Sequence, residues 1–172
     1  VYGLTKVSGE LLCDYYFNKY NVDVRGIRYP GLISWKKRPI GGTTDYAVEI
    51  YFEAAQKENY QCFVNKETKL PMMYMPDAVR ATLELMKAPL ESLKHHSNYN
   101  LSGMSFTALE LVEAIQKIIP NFECTFKPDH RQEIADSWPI SVNDDAARKE
   151  WGWKSSFNLT SMTKDMLKNL RN

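Results

Sequence analysis

The chain has 172 residues, of which 44% are hydrophobic and 25% are charged, and its formal net charge is +1. These values are typical of a globular protein with a hydrophobic core, and they argue against the basic excess of nucleic-acid-binding proteins. No apolar stretch approaches the ~20 residues that a membrane-spanning helix needs. We therefore expect neither nucleic acid nor a membrane as a partner.

The cysteine and histidine residues do not form a metal-binding pattern. Cys13, Cys62 and Cys124 are odd in number and widely spaced, so neither a zinc site nor a disulfide framework is supported. The adjacent His95 and His96 lie in a polar stretch, which favours a solvated loop. We therefore expect no metal and a reducing compartment.

The first segment contains a pair of residues suited to proton transfer. Tyr2 and Lys6 begin a run whose apolar residues recur at helical spacing as far as Asn21, and this spacing places both side chains on one helix face. A neighbouring ammonium stabilises a phenolate and so lowers the pKa of the tyrosine from about 10. The pair can exchange a proton with an alcohol or a carbonyl, although a simple surface pair has the same spacing.

Two glycine-containing segments follow this helix. Residues 22–29 are predicted to form a mostly buried parallel strand, which Pro30 and Gly31 end. After a basic loop, Gly41-Gly42 precedes Thr43-Thr44-Asp45, whose side-chain oxygens can cap the next helix. A helix N-terminus is also a favourable position for a carboxylate ligand.

The rest of the chain alternates between strand and helix patterns, which indicates an α/β fold. Helices are predicted at 46–57, 76–87, 105–119, 129–136, 146–151 and 159–170, and strands at 60–64, 70–75, 98–101 and 123–127. Thr107 and Glu110 have the spacing of a capping box. Asp144-Asp145 is predicted to cap the helix that follows it, and Gly152 to end that helix.

Several of these segments together resemble the extended short-chain dehydrogenase/reductase family. In that family a Tyr-x-x-x-Lys helix leads into a strand ending in Arg-x-Pro-Gly, and this chain has Arg28-Tyr29-Pro30-Gly31. More narrowly, the chain resembles the family's L-threonine 3-dehydrogenase branch in the blocks Gly41-Gly42-Thr43-Thr44-Asp45-Tyr46-Ala47, Leu70-Pro71-Met72-Met73-Tyr74-Met75, Met104-Ser105-Phe106-Thr107, Ile134-Ala135-Asp136-Ser137-Trp138-Pro139 and Trp151-Gly152-Trp153. Family members commonly have Pro-Gly-Gly-Gly where this chain has Pro39-Ile40-Gly41-Gly42, so we expect a stiffer loop here.

The resemblance implies the C-terminal portion of an NAD(P)-binding Rossmann-like fold with a small mixed α/β substrate domain. Residues 1–34 would end the Rossmann-like domain, and 35–172 would mainly bind substrate, with 70–103 returning to the Rossmann-like sheet. The family binds pyrophosphate on a Gly-rich turn, and the eight glycines of this chain do not form one. We therefore expect a fragment of a longer protein, inactive alone; a natural short form is the alternative.

The resemblance also implies NAD as cofactor and the oxidation of L-threonine to 2-amino-3-oxobutanoate. Tyr2 would be the general base, and Lys6 would lower its pKa and hydrogen-bond the nicotinamide ribose. The remaining implied contacts are Pro30, Gly31 and Leu32 with the nicotinamide, and Thr43, Asp45 and Trp138 with the substrate. Trp138 would act as a lid, although packing explains it equally well.

Two other functions are compatible with the sequence. A nucleotide-sugar epimerase or dehydratase uses the same Tyr/Lys pair but must also hold a diphosphate, for which Arg28, Arg80, Arg131 and Arg148 are available. A non-catalytic fragment or binding module is the second alternative. For the intact protein we expect a homodimer through the Tyr2–Tyr20 helix, and a bacterial cytoplasmic location, with mitochondria as the alternative.

Overall fold

The computed structural model describes residues 1–56 and 59–171. Its helices are α1 (Tyr2–Tyr20), α2 (Tyr46–Gln56), α3 (Met75–Lys87), α4 (Ala108–Gln116), α5 (Arg131–Asp136), α6 (Asp145–Trp151) and α7 (Leu159–Arg171), with a 3₁₀ turn at Leu90–Ser92. Its strands are β1 (Ile27–Arg28), β2 (Gly31–Ile33), β3 (Asn59–Cys62), β4 (Lys69–Tyr74), β5 (Tyr99–Asn100), β6 (Met104–Thr107) and β7 (Glu123–Phe126). Position 57, the predicted end of α2, lies outside the described residues.

The strands pair into three small sheets within the described ranges. The largest has the order β2-β4-β6, with β2 parallel and β6 antiparallel to the central β4. β1 pairs in parallel with β5, and β3 in parallel with β7. The mixed α/β architecture predicted from the sequence is confirmed. In residues 1–56 and 59–171, no helix is long and apolar enough to cross a bilayer.

Strand β4 separates the two parts of the hydrophobic core. Its Met72 belongs to the larger cluster, together with buried residues of α2, α4 and α7, whereas Met73 belongs to a smaller cluster that contains Leu101 and Trp153. Successive strand residues point to opposite faces, so a strand covered on both sides is apolar at nearly every position. The buried run predicted at 70–75 is therefore confirmed as core for 70–74, whereas Met75 is partly buried and begins α3.

Strand β6 was missed in the sequence, where a helix was predicted from Ser105. Residues Met104–Thr107 instead pair with β4, and the helix begins at Ala108 and ends at Gln116 rather than near Ile119. The capping box is confirmed: the Glu110 backbone N–H donates to Thr107 Oγ1, and the Thr107 N–H donates to Glu110 Oε2. Thr107 thus ends the strand and begins the helix.

The predicted strand at 22–29 is shorter and less buried than expected. Only Ile27 and Arg28 pair with another strand, and Val22 and Tyr29 are each more than 40% exposed. Among the described residues its one strand neighbour is β5, which leaves the opposite edge uncovered. The prediction of a mostly buried strand is wrong for this chain.

The acidic pair Asp144-Asp145 at the start of α6 also differs from its predicted capping role. The Asp144 carboxylate accepts from Arg148 Nε at 2.7 Å and from the Ser102 N–H at 3.3 Å. The Asp145 N–H is instead satisfied by Asn143 Oδ1 at 2.8 Å. Asp144 therefore joins α6 to the segment after β5 instead of capping its own helix.

Candidate functional site

Helix α1 presents Tyr2 and Lys6 together at its first turn. The Lys6 Nζ lies 5.2 Å from the centroid of the Tyr2 ring, and the Tyr2 side chain is 77% exposed. The helix ends at Tyr20 and is capped by Asn21, which adopts a left-handed conformation with φ of 55°. The spacing in the sequence thus produces the ammonium–phenol pair that proton transfer would need.

Polar contacts along one side attach α1 to the rest of the chain. The Glu10 carboxylate pairs with the Arg28 guanidinium of β1, the Ser97 hydroxyl donates to Asp14 Oδ1 at 2.5 Å, and the Phe17 ring stacks on His96 at 3.6 Å. The helix itself contributes no buried residue. Its position therefore depends on these side-chain contacts.

The segment 94–99 carries two of those contacts and is itself held by Glu150 of α6. The Glu150 carboxylate accepts from the N–H groups of Lys94 and His95, from the Tyr99 hydroxyl and from the His95 ring, at 2.5–3.1 Å. Burial raises the pKa of Glu150, but these hydrogen bonds outweigh it and hold the pKa at about 2. The two histidines lie in a loop as predicted, with His95 52% exposed, but both rings have partners, because His95 binds Glu150 and His96 stacks on Phe17.

The Pro30–Gly31 turn packs tightly against the beginning of α2. A Cβ atom on Gly31 would lie 2.5 Å from Met72 Sδ and 2.9 Å from Thr44 Cγ2, so any other residue would require these side chains to shift. β2 is an edge strand of its sheet, and one side of its backbone at Leu32 therefore has no strand partner among the described residues. These features fit a backbone contact with a planar carboxamide such as that of nicotinamide.

The glycine loop before α2 is closed by Asp45. Its Oδ2 accepts from the N–H groups of Gly41 and Gly42 at 2.8 and 2.5 Å. Gly41 has a φ of 114°, a conformation that favours glycine. Asp45 therefore binds the loop before it, whereas the prediction had its oxygens capping the helix after it.

Two of the predicted site residues meet in one cavity, and another lies in a different one. Leu32 and Asp45 line a cavity of about 280 Å³ together with Ile40 and Val48. Trp138, which is 42% exposed, lines a separate cavity of about 260 Å³. The remaining lining residues of this second cavity include Asn65, Thr68, Lys69, Gln132 and Asp136.

Two residues organise this region: Arg28, which the sequence suggested only as a motif residue and a diphosphate candidate, and Glu150, which was not singled out. Arg28 had a signal, because it belongs to the Arg-x-Pro-Gly segment and Glu10 lies one turn after Lys6. Glu150 had none, since its partners lie more than fifty residues away in the chain. In the part of the chain that the structure describes, no group of three metal-ligating side chains is present.

Comparison with known proteins gives close relatives over nearly the whole chain. No protein-family model matches. The chain is 50% identical over 169 residues to an uncharacterized epimerase/dehydratase of Staphylococcus haemolyticus, and 48% identical over 168 residues to the mitochondrial L-threonine 3-dehydrogenase of Sus scrofa. These matches cover 98% and 97% of this chain but only 53% and 45% of the relatives, so the chain spans about half the length of the curated relatives it matches.

A solved structure agrees with these relatives. A monomeric L-threonine 3-dehydrogenase from a metagenome database, in its apo form, is 64% identical and superposes with a TM-score of 0.95. The superposition covers 99% of this chain and 55% of that one. The similarity therefore includes α1, the Pro30–Gly31 turn and the loop before α2.

Proposed function

We propose that this chain supplies the general base and the substrate-binding residues for NAD-dependent oxidation of L-threonine to 2-amino-3-oxobutanoate. As a C-terminal part, the chain belongs to the L-threonine 3-dehydrogenase branch of the extended short-chain dehydrogenase/reductase family. The observation that carries the proposal is the 64% identity to an L-threonine 3-dehydrogenase over 99% of the chain. Residues 1–34 would complete a Rossmann-like domain, residues 35–172 would mainly form the substrate part, and 70–103 would return to the Rossmann-like sheet. We expect the chain to be inactive without the cofactor-binding half.

The residues present fit the nicotinamide end of the cofactor. When bound, NAD accepts the hydride that leaves the threonine β-carbon. Pro30, Gly31 and Leu32 would offer an apolar turn and the unpaired side of an edge strand, and Lys6 would hydrogen-bond the ribose.

Tyr2 would remove the proton from the threonine β-hydroxyl. A tyrosine with an ordinary pKa of about 10 is a weak base at neutral pH. The Lys6 ammonium favours the phenolate, and its position beside the Tyr2 ring is consistent with this role. Holding the hydroxyl near the base in a fixed orientation would supply much of the rate enhancement.

Threonine would be held by residues around the N-terminus of α2. We propose that Thr43 hydrogen-bonds the substrate. We propose that Asp45 orients the substrate through Oδ1, because Oδ2 already accepts from the N–H groups of Gly41 and Gly42. We propose Trp138 as a lid. It borders a separate cavity with Thr68, so the lid role requires movement of its segment toward the substrate.

The rival epimerase function needs a basic residue ready to bind a diphosphate. The four candidate arginines are each engaged in an ion pair. Their partners are Glu10 for Arg28, Asp77 and Glu84 for Arg80, Asp129 for Arg131, and Asp144 for Arg148. This observation favours the amino acid as substrate.

We also propose that the intact protein dimerises through the Tyr2–Tyr20 helix, because Val7, Leu11, Leu12, Tyr15 and Tyr16 of α1 are exposed. The solved relative is described as monomeric, so light scattering of the full-length protein is the deciding measurement. A bacterial cytoplasmic location is proposed, with mitochondria as the alternative, where the Sus scrofa relative is found.

The test of the function is NADH formation by the full-length protein with L-threonine. Tyr2→Phe is expected to lower kcat/KM roughly 10²- to 10⁴-fold, since it removes the general base. Tyr16→Phe, the same change farther along α1, serves as the control and should leave turnover unchanged. Absence of threonine turnover together with activity on a UDP-sugar would overturn the proposal. NAD titration of the chain alone tests the non-catalytic alternative, and we expect weak or no binding.

A further inference from the structure

Helix α1 places a carboxylate on the far side of Lys6 from Tyr2. Tyr2, Lys6 and Glu10 follow one another at intervals of four residues, so each is a neighbour of the next along the helix surface. Each interval corresponds to about 6 Å along the helix axis. The Lys6 ammonium therefore has two potential anionic partners, the Tyr2 phenolate and the Glu10 carboxylate, and only the first would serve proton abstraction.

Glu10 is held by a residue from another element. Arg28 Nε lies 2.6 Å from Glu10 Oε1, and Arg28 Nη2 contacts Glu10 Oε2. This is the two-point geometry in which a guanidinium binds a carboxylate most strongly. Within the described residues Lys6 makes no ion pair with Glu10, and its ammonium lies over the Tyr2 ring instead.

We propose that Arg28 is a positioning residue: by holding Glu10 in a two-point ion pair, it keeps the carboxylate from binding Lys6 and leaves the ammonium available to the Tyr2 hydroxyl. The catalytic meaning of this arrangement rests on the proposed function. The charge arrangement itself does not depend on which substrate is bound.

The strong hydrogen bonds from Arg28 lower the pKa of Glu10 below its ordinary value, although partial burial acts in the opposite direction. Glu10 is therefore ionised at neutral pH, and without Arg28 its charge would be a competitor for Lys6.

Other charged groups near this part of α1 come from three elements. Asp14 lies one turn beyond Glu10 and accepts from the Ser97 hydroxyl. His96, in the segment before β5, stacks on Phe17. Arg28 comes from β1 and is the guanidinium in contact with Glu10. The proposal concerns Glu10 because it is the carboxylate one turn from Lys6.

The test measures the ionisation of Tyr2 directly, in the full-length protein without substrate. Tyrosine labelled with ¹³C at Cζ is titrated by NMR, and the Tyr2 signal is identified by its loss in Tyr2→Phe. Arg28→Met keeps an unbranched side chain but releases Glu10, and it should raise the Tyr2 midpoint by about half a pH unit or more, as expected for charges several Å apart at a protein surface. The double variant Arg28→Met/Glu10→Gln should return the midpoint to the wild-type value.

Two further variants separate this mechanism from a general effect of charge. Glu10→Gln alone should leave the midpoint unchanged, because Lys6 is already available in the wild type. Equal and opposite shifts of the Tyr2 midpoint for Arg28→Met and Glu10→Gln would mean that only the summed electrostatic field at Tyr2 matters. That result would overturn the inference. Arg28→Lys keeps the positive charge and should shift the midpoint less than Arg28→Met.

Arg25→Met is the structural control on the same segment. Arg25 binds Asp23 and the carbonyls of Leu85 and Ala88, so its loss should lower the melting temperature without moving the Tyr2 midpoint. An unchanged midpoint in Arg28→Met refutes the inference even if threonine is oxidised. If the expected titration pattern is found but threonine is not oxidised, the proposed function fails and the positioning role of Arg28 stands.

Discussion

Replacing Glu150 by Gln should destabilise the protein in a pH-dependent way. The side chain is 9% exposed, and its carboxylate accepts hydrogen bonds from Lys94, His95 and Tyr99. A fall of its pKa from 4.5 to about 2 corresponds to about 3 kcal/mol of stability at neutral pH. Because Gln keeps one carbonyl acceptor but has no charge, we expect a loss of about 2–3 kcal/mol, or about 4–12 °C in melting temperature.

The direction of the pH effect follows from the lowered pKa of Glu150. In the unfolded chain the carboxyl group takes up a proton near pH 4.5, whereas in the folded chain it does so only near pH 2. The stabilisation is therefore fully present above about pH 5 and is lost as the pH falls from 4.5 toward 2. The stability difference between the wild type and Glu150→Gln should shrink over the same range.

The assay is urea unfolding followed by circular dichroism, from pH 7 down to the lowest pH at which the wild type remains folded. Glu67→Gln is the matched control, because Glu67 is 72% exposed and pairs only loosely, at 3.6 Å, with Lys66. This control should show little change. A difference between wild type and Glu150→Gln that stays the same at pH 7 and pH 3.5 would refute the reasoning.

Two further substitutions test the predicted site residues. Gly31→Ala would bring a methyl group to within 2.5 Å of Met72 Sδ and 2.9 Å of Thr44 Cγ2, and should cost about 1–3 kcal/mol; a melting temperature equal to that of the wild type would contradict this packing. Trp138→Phe should raise KM for threonine roughly threefold or more with little change in kcat, since a smaller ring covers less of the substrate; an unchanged KM would indicate that Trp138 does not cover the substrate.

Features determined by neighbouring residues were predictable from the sequence. The Tyr2–Lys6 pair, the Thr107–Glu110 capping box and the end of α6 at Gly152 all depend on residues within one or two helical turns of each other. In each of these cases the side-chain chemistry and the spacing are sufficient to specify the contact.

Features that depend on distant partners were not predictable in the same way. Residues 105–107 carry a helix-start signal, but pairing with Lys69–Pro71 makes them part of β6, and the signal applies only from Thr107 onward. His96 lies in a polar stretch, yet it stacks on Phe17 from a helix far away in the chain. Tertiary pairing overrides local propensity in both segments.

The same distinction explains how the site is held together. The chemistry-bearing residues of α1 can be recognised locally, but the helix contributes no buried residue to the core, so its position is set by side chains that approach it from β1 and from the segment 94–99. That segment depends in turn on Glu150. Glu150→Gln should therefore disturb the Asp14–Ser97 contact as well as overall stability. The position of Tyr2 thus depends on the Glu150 carboxylate, for which the sequence contains no local signal.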